Sequence, residues 1–191
     1  MKYVLVLNQK GGVGKTTICE EIAASLQRTN TPFCFYNLDP QGGCCIEQRE
    51  DKDAVVAVVD TPGALSDQTS QWVQNADVLV VPVRASGKDI PAFDRMLEVI
   101  QANKKKDAKL IIVVNQWTRY TASRDFYEWL IGLGMDFVVT RLPQSELFQK
   151  ASAAGKPLTD YAPKSVPANG AMLVVNMVRR AAELDEEEIS E

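Results

Sequence analysis

Asn8-Gln9-Lys10-Gly11-Gly12-Val13-Gly14-Lys15-Thr16-Thr17 follows an apolar run at residues 3–7 and precedes a stretch in which Ile18, Ile22 and Leu26 recur every four residues. The order is therefore strand, glycine-rich turn, amphipathic helix. Glycines at 11, 12 and 14 let the backbone curl so that successive N–H groups point inward at phosphate oxygens. The helix amino terminus adds the positive end of its dipole. In this setting Lys15 reaches the β and γ phosphates of a nucleotide, and the Thr16 hydroxyl ligates Mg²⁺. A chance glycine-rich turn would not combine the strand before, the helix after and Gly-Lys-Thr between them.

Outward from this stretch, further apolar runs lie at residues 33–38, 54–59, 78–83, 110–114 and 137–139. They are β-branched and do not alternate with polar residues, as expected of strands buried on both faces of a parallel sheet. Helical spacing separates them: Ile90, Phe93, Leu97 and Ile100 in one segment, Val174, Val178 and Ala181 in another. In the latter, Asn176, Arg179, Arg180 and Glu183 fall on the opposite face. Alternating strands and helices predict an α/β three-layer sandwich with a mainly parallel, twisted sheet and right-handed crossovers. Ligands in such folds bind beyond the carboxyl ends of the strands. One domain is expected over residues 1–183, followed by a frayed acidic tail over 184–191.

Composition narrows the functional classes. With 46% hydrophobic and 24% charged residues, the chain is an ordinary globular protein. No apolar run approaches the ~20 residues of a membrane span, and the amino-terminal run is too short for a signal peptide. A cytoplasmic protein is expected. Cys19, Cys34, Cys44 and Cys45 lack C-x-x-C spacing and read as reduced thiols. Histidine is absent, which removes the commonest general base and the triads built on it. Hydrolysis must then rely on carboxylates, lysines, backbone amides or a metal. A net charge of −4 gives no support for nucleic-acid binding by the whole chain, but acid is concentrated in residues 183–191, so the average hides the local balance.

The ordinary phosphate-loop pattern, G-x-x-x-x-G-K-[ST], demands glycine where this chain has Gln9. The chain fits K-G-G-x-G-K-[ST] instead, with an extra lysine at Lys10. This stretch resembles the ParA/MinD superfamily of deviant Walker A ATPases, a branch of the P-loop NTPase fold. Asn-Gln-Lys ahead of the glycines looks like the ParA partition type. The resemblance implies an ATP-binding loop of Lys10, Gly11, Gly12, Val13, Gly14, Lys15, Thr16 and Thr17, with catalytic roles for Lys10, Lys15 and Asp39. It also implies that Lys10 reaches across a nucleotide-sandwich homodimer to the partner's ATP, where an ammonium can neutralise charge developing on the transferred phosphoryl group.

Three further matches extend the resemblance. Asn37-Leu38-Asp39-Pro40-Gln41-Gly42-Gly43 resembles the family's D-x-D-P-Q-G-N switch, in which Asp39 would position the attacking water, with Pro40, Gln41 and Gly42 as switch residues. The run at 55–59 leads into Asp60-Thr61-Pro62-Gly63, a Walker B arrangement. There Asp60 would hold Mg²⁺ and Gly63 would offer its N–H to the γ-phosphate. Asn115 ends a strand where the family places an asparagine against adenine, and Pro143 would lie over the base. No N-K-x-D follows, so a guanine site is not expected. Ala154-Gly155-Lys156-Pro157-Leu158 looks like the family's terminal G-K-P turn.

Two departures stand out. Asn37 replaces the first aspartate of D-x-D. Only residues 44–53 separate the switch from the Walker B strand, where larger members place helices. With no amino-terminal helix-turn-helix, the chain looks like the small partition type. The resemblance implies an ATP-dependent dimer that binds nucleoid DNA non-specifically and a ParB-like centromere-binding protein that stimulates slow hydrolysis. Lys150, Lys156, Lys164, Arg179 and Arg180 are the candidate DNA contacts. A VirC-type conjugation or cargo-positioning ATPase shares the motifs. A MinD-like membrane protein is disfavoured because the acidic end would be repelled by anionic lipid, and a cluster carrier because Cys44 and Cys45 are adjacent.

Overall fold

Side chains on a strand alternate between faces, so an unbroken apolar run needs a hydrophobic layer on each side. In the computed structural model, which describes residues 1–39, 43–63 and 67–188, five strands meet this condition and a sixth, more exposed at residues 138–143, completes one sheet. They are β1 (Lys2–Val6), β2 (Phe33–Asn37), β3 (Val56–Asp60), β4 (Val78–Arg84), β5 (Lys109–Trp117) and β6 (Val138–Pro143). Their spatial order is β2-β3-β1-β4-β5-β6, and every neighbouring pair is parallel.

Val4, Val6, Val56, Val58, Val78, Val80, Ile111 and Val113 face one layer. There they meet α1 (Lys15–Arg28), through Ile18, Ile22 and Leu26, and α7 (Val166–Ala181), through Val174, Val175 and Val178. Leu5, Val59, Leu79, Val81, Ile112 and Val114 face the other layer. This one is built by α2 (Asp67–Asn75), α3 (Ile90–Asn103) and α4 (Thr121–Gly132), which contribute Val73, Phe93, Met96, Ile100, Phe126 and Leu130. The result is the expected three-layer α/β sandwich. Two short helices, α5 (Glu146–Ala153) and α6 (Leu158–Tyr161), precede α7. Ser145 caps α5 by accepting from Leu147 N, and Ser165 caps α7 by accepting from Ala168 N. No helix among the described residues is long and apolar enough to cross a membrane.

Among the described residues of the short connection after β2, none is helical. Arg49 instead lies against Phe35 in an antiparallel bridge, with Phe35 N donating to Arg49 O at 2.9 Å and Arg49 N to Phe35 O at 3.2 Å. The Arg49 guanidinium sits 4.5 Å from the centre of the Phe33 ring and pairs with Asp51, whose carboxylate also accepts from Phe33 N. Arg49 and Asp51 thus pair backbone groups of Phe35 and Phe33 on the outer edge of β2, which would otherwise be left unpaired.

Two expectations at the carboxyl end need correction. Residues 184–188 are not frayed, because Glu187 exchanges two hydrogen bonds with the Asn176 carboxamide, at 2.9 and 2.8 Å. Glu187 also pairs with Arg28 at 2.6 Å, and Arg28 pairs in addition with Asp160. Nor does α7 turn its Asn176–Arg179 side to solvent. Arg179 is 3% exposed; it donates to Ser25 Oγ, Thr29 Oγ1 and the Asp185 carbonyl. The helix is covered on that side by α1 and by the returning segment, so a polar residue there is an internal hydrogen-bonding residue. Arg179→Glu should therefore cost about 3–5 kcal/mol of stability, as expected for an uncompensated buried charge. Arg180→Glu, which only breaks an exposed pair with Glu186, should stay within about 1 kcal/mol. Urea unfolding of the two variants gives the comparison.

Candidate functional site

The register of the central strands places the site. Val6 lies opposite Asp60 in the β1–β3 pair, and Asn37 lies opposite Asp60 in the β2–β3 pair. The chain segments that leave β1, β2 and β3 therefore start level with one another at one end of the sheet. Gly12 and Gly14 carry φ of 70° and 98° and turn the loop back onto α1. Gly14 is the N-cap of α1, and no side chain caps the first turn, which also contains no acid. Backbone N–H groups at that turn are thus open toward an anion.

Two carboxamides hold the loop in place. Asn8, 2% exposed, donates to the Pro82 carbonyl at 2.7 Å and accepts from Lys10 N at 2.9 Å. Asn115 donates to the Val13 carbonyl at 2.7 Å, and its Oδ1 accepts from Gln116 N at 2.8 Å. The approach of Asn115 is so close that a Cβ on Gly14 would stand 2.2 Å from its Nδ2. Glycine at 14 is thus required twice, by backbone conformation and by space. The latching role of Asn8 was not anticipated from the sequence, although its position between the strand and Lys10 is the only signal that could have shown it.

Beneath the loop, Lys15 is 6% exposed and Asp60 fully buried. Thr16 Oγ1 donates to Asp60 Oδ2 at 2.7 Å, while Asp60 Oδ1 has no hydrogen-bond partner among the described residues. Burial pushes the Asp60 carboxyl up to about 6, against the opposing pull of the Thr16 hydroxyl and the Lys15 ammonium; Asp39 and Glu20 nearby raise it further. A buried carboxylate oxygen left without a partner is a site prepared for a cation. Gly63 closes the other side. A Cβ built there would lie 3.6 Å from Gln9 O, 3.8 Å from Lys15 Nζ and 3.9 Å from Gly11 N, filling the cradle above the loop. These residues fit a polyphosphate with a divalent cation.

The cradle opens into a cleft of about 1000 Å³ that Asp39, Asn115 and Pro143 also line, together with Gln116, Gln144 and Phe148. Val13 is wholly buried and takes part through its backbone, Thr17 lines the cleft, and Lys10 is half-buried beside it. Asp39 N donates to Asn37 Oδ1 at 3.1 Å, so the asparagine that replaces the first switch carboxylate shapes the turn into Asp39. Pro40, Gln41 and Gly42 lie outside the described residues. At the far end, Glu21 accepts from Leu158 N, Thr159 N and Thr159 Oγ1, tying the turn after Lys156 to α1.

The remaining candidates separate. Lys150 pairs with Glu146 at 3.6 Å, Arg180 pairs with Glu186, and Lys156 and Lys164 are exposed. Arg179 is internal and cannot meet DNA. Cys19, Cys34, Cys44 and Cys45 are free thiols, and burial raises Cys44 to about 11 and Cys45 to about 12. Among the described residues, no group of three or more Cys, Asp or Glu side chains is placed to hold a metal ion. Because Gly14 and Asn115 share one space, Gly14→Ala should destabilise the protein by at least about 1–2 kcal/mol from backbone conformation alone. Asn115→Ala should relieve part of the excess, with a coupling of about 0.5–3 kcal/mol in a double-mutant cycle by urea unfolding.

Known proteins share this arrangement. The family model described as the CobQ/CobB/MinD/ParA nucleotide binding domain matches residues 4–158. The sporulation initiation inhibitor protein Soj of Bacillus subtilis is 31% identical over 109 residues, covering 53% of this chain and 43% of Soj. Protein ParA of Rhizobium radiobacter is 22% identical over 184 residues, covering 78% of this chain and 83% of that protein. The match to two uncharacterised Pseudomonas putida proteins spans only 19% of their length, so this chain corresponds to less than half of several relatives. Among solved structures, a Cyanothece McdA variant in complex with ATP superposes with a TM-score of 0.78 at 14% identity over 98% of both chains. MinD of Pyrococcus horikoshii with Mg-ADP gives 0.72 at 10% identity over 95% of this chain and 97% of that one. With the loop, the buried aspartate and the parallel sheet in place, the match over most of its length decides the matter: the chain belongs to the CobQ/CobB/MinD/ParA nucleotide-binding domain family.

Proposed function

We propose that this chain is a Mg²⁺-dependent ATPase of the ParA type, an ATP-operated dimerisation switch that binds DNA non-specifically and serves DNA partition. The observation that carries this reading is the convergence of Lys15, Thr16 and the Asp60 oxygen without a partner among the described residues under a loop that Gly63 approaches on its open side. The likeness to Soj and to ParA of Rhizobium radiobacter supports the partition assignment.

Each residue has a defined task in this reading. The loop N–H groups and Lys15 bind the phosphates, and the helix dipole of α1 adds to their field. Thr16 and Asp60 would hold Mg²⁺, which would supply Lewis-acid stabilisation of charge on the phosphates. Asp39, at the cleft wall, orients the attacking water and accepts its proton. Gly63 N–H senses the γ-phosphate. Asn115 and Pro143 bound the adenine end. Lys10, outside the cleft of its own chain, acts on the nucleotide of a second copy, so that phosphoryl transfer waits for dimerisation. A ParB-like partner accelerates hydrolysis and releases the dimer. Lys150, Lys156, Lys164 and Arg180 remain DNA contacts in this scheme.

Asp60→Asn should bind ATP equally with and without Mg²⁺, whereas the wild type gains about ten- to hundredfold from the metal, read by calorimetry. The two switch residues should fail in different ways. Lys10→Ala should bind ATP as a monomer, since its phosphate contact lies in the other subunit. Asp39→Ala should dimerise with ATP and stay dimeric, since only water positioning is lost. Light scattering with ATP and ADP distinguishes them, and a Lys10→Ala protein that dimerises like wild type removes the trans role.

A further inference from the structure

Beside the cleft, three arginines carry no ion pair. Arg119 precedes Tyr120, the N-cap residue of α4, Arg124 lies in the first turn of that helix, and Tyr120 is 78% exposed. Arg141 on β6 lies 4.3 Å from the centre of the Trp117 ring on β5. Among the described residues none of the three meets a carboxylate, whereas Arg28, Arg49, Arg84 and Arg180 are each paired with one. The first turn of α4 contains no acid, and Asp125 in the next turn lines a separate pocket with Ser86, Ile90 and Trp129. In a chain of net charge −4, Arg119 and Arg124 stand exposed next to Tyr120 in the chain, and Arg141 packs over the half-buried Trp117.

This patch is joined to the cleft by three consecutive residues. Asn115 holds the Val13 carbonyl of the phosphate loop. Gln116 lines the cleft with φ of 54°, a left-handed conformation that costs a non-glycine residue energy. Its N–H is held by Asn115 Oδ1, and the β5–β6 pairing is irregular between Val114 and Trp117. Trp117 then receives the Arg141 guanidinium, and its carbonyl accepts from Gln144 N, another cleft residue, at 2.9 Å.

We infer that Arg119, Arg124 and Arg141, with Trp117 and Tyr120, form the surface that takes the DNA phosphate backbone, and that the state of the cleft reaches it through Asn115-Gln116-Trp117. Guanidinium forks match phosphate oxygens bidentately, and the flat aromatic faces hold the forks in orientation. Nucleic acid suits this set better than an acidic peptide, because Tyr120 offers a face for sugar or base beside the charges. The set also takes the place of Arg179, which is internal. The inference rests on the DNA-binding reading above and adds its surface and its coupling.

The test is fluorescence anisotropy of a random-sequence duplex at two salt concentrations, with ATP and with ADP. The triple variant Arg119→Ala/Arg124→Ala/Arg141→Ala should keep its ATP affinity by calorimetry but lose at least about tenfold in duplex affinity with ATP. Its salt slope should fall by about 2–3 released counterions. The corresponding triple lysine variant, which keeps the charge, should retain a measurable part of the binding and most of the slope. Lys150→Ala/Lys156→Ala/Lys164→Ala should change duplex affinity less than the arginine triple. A Gln116→Gly protein should bind duplex with an ATP-to-ADP affinity ratio closer to one than wild type; an unchanged ratio removes the coupling route. If wild type with ATP binds duplex and the arginine triple binds it equally, this surface is wrong while the DNA reading stands. If wild type with ATP binds no duplex even at low salt, the DNA reading falls and this surface with it. Preference of the wild type for polyglutamate over duplex likewise overturns it.

Discussion

The parallel pairing of β1 with β3, which sets Val6 opposite Asp60, is the constraint on which the rest of the site depends. A one-residue slip would turn Asp60 to the other face and bring an apolar neighbour under the phosphate loop. The register is secured because both faces of both strands are buried, with Val4, Val6, Val56 and Val58 in one layer and Leu5 and Val59 in the other. A fully buried carboxylate is thereby delivered beneath the first turn of α1. Its cost in desolvation shows in the raised Asp60 carboxyl, and it is reduced by Thr16 and Lys15 on the same helix. The core that stabilises the sheet is the device that aims the chemistry.

Carboxamides organise the loop in a chain that has no histidine. Asn8 and Asn115 are nearly buried, and each donates to a backbone carbonyl, Pro82 on β4 for the first and Val13 in the loop for the second. An uncharged group that both donates and accepts can satisfy two backbone positions without adding charge beside a polyphosphate. Asn115 does more, since its Oδ1 also stabilises the left-handed Gln116. The same side chain therefore links the loop, the cleft wall and the aromatic pair Trp117–Arg141.

The carboxyl-terminal segment changes what the charges of α7 mean. Two acidic side chains are paired with arginines of α1 and α7, Glu187 with Arg28 and Glu186 with Arg180, and the Asp185 backbone carbonyl accepts from Arg179. The region is therefore closed by hydrogen bonds and ion pairs. Arginines without an ion pair among the described residues include Arg119 and Arg124 at the start of α4 and Arg141 on β6.

Much of this was legible in the residues themselves. The alternation of apolar runs with helical spacing determined the layered sheet, because strands buried on both faces and amphipathic helices have few other ways to bury their surface. The glycine-rich turn with Lys15 and Thr16, and the aspartate ending an apolar run, determined the phosphate cradle, because their spacing is local to single strand-to-helix connections. Helices α2, α4, α5 and α6 were not legible, since their apolar positions are sparse and their burial comes from distant partners. Arg179 and Asn176 were read as a solvent face because helical periodicity says which residues share a side, not what covers that side. Only the tertiary structure decided that, by returning residues 184–188 across α7. It also decided the latches of Asn8 and Asn115 and the meeting of Arg141 with Trp117. Each joins residues from separate strands or loops, and register and strand order, which no local spacing encodes, bring such residues together.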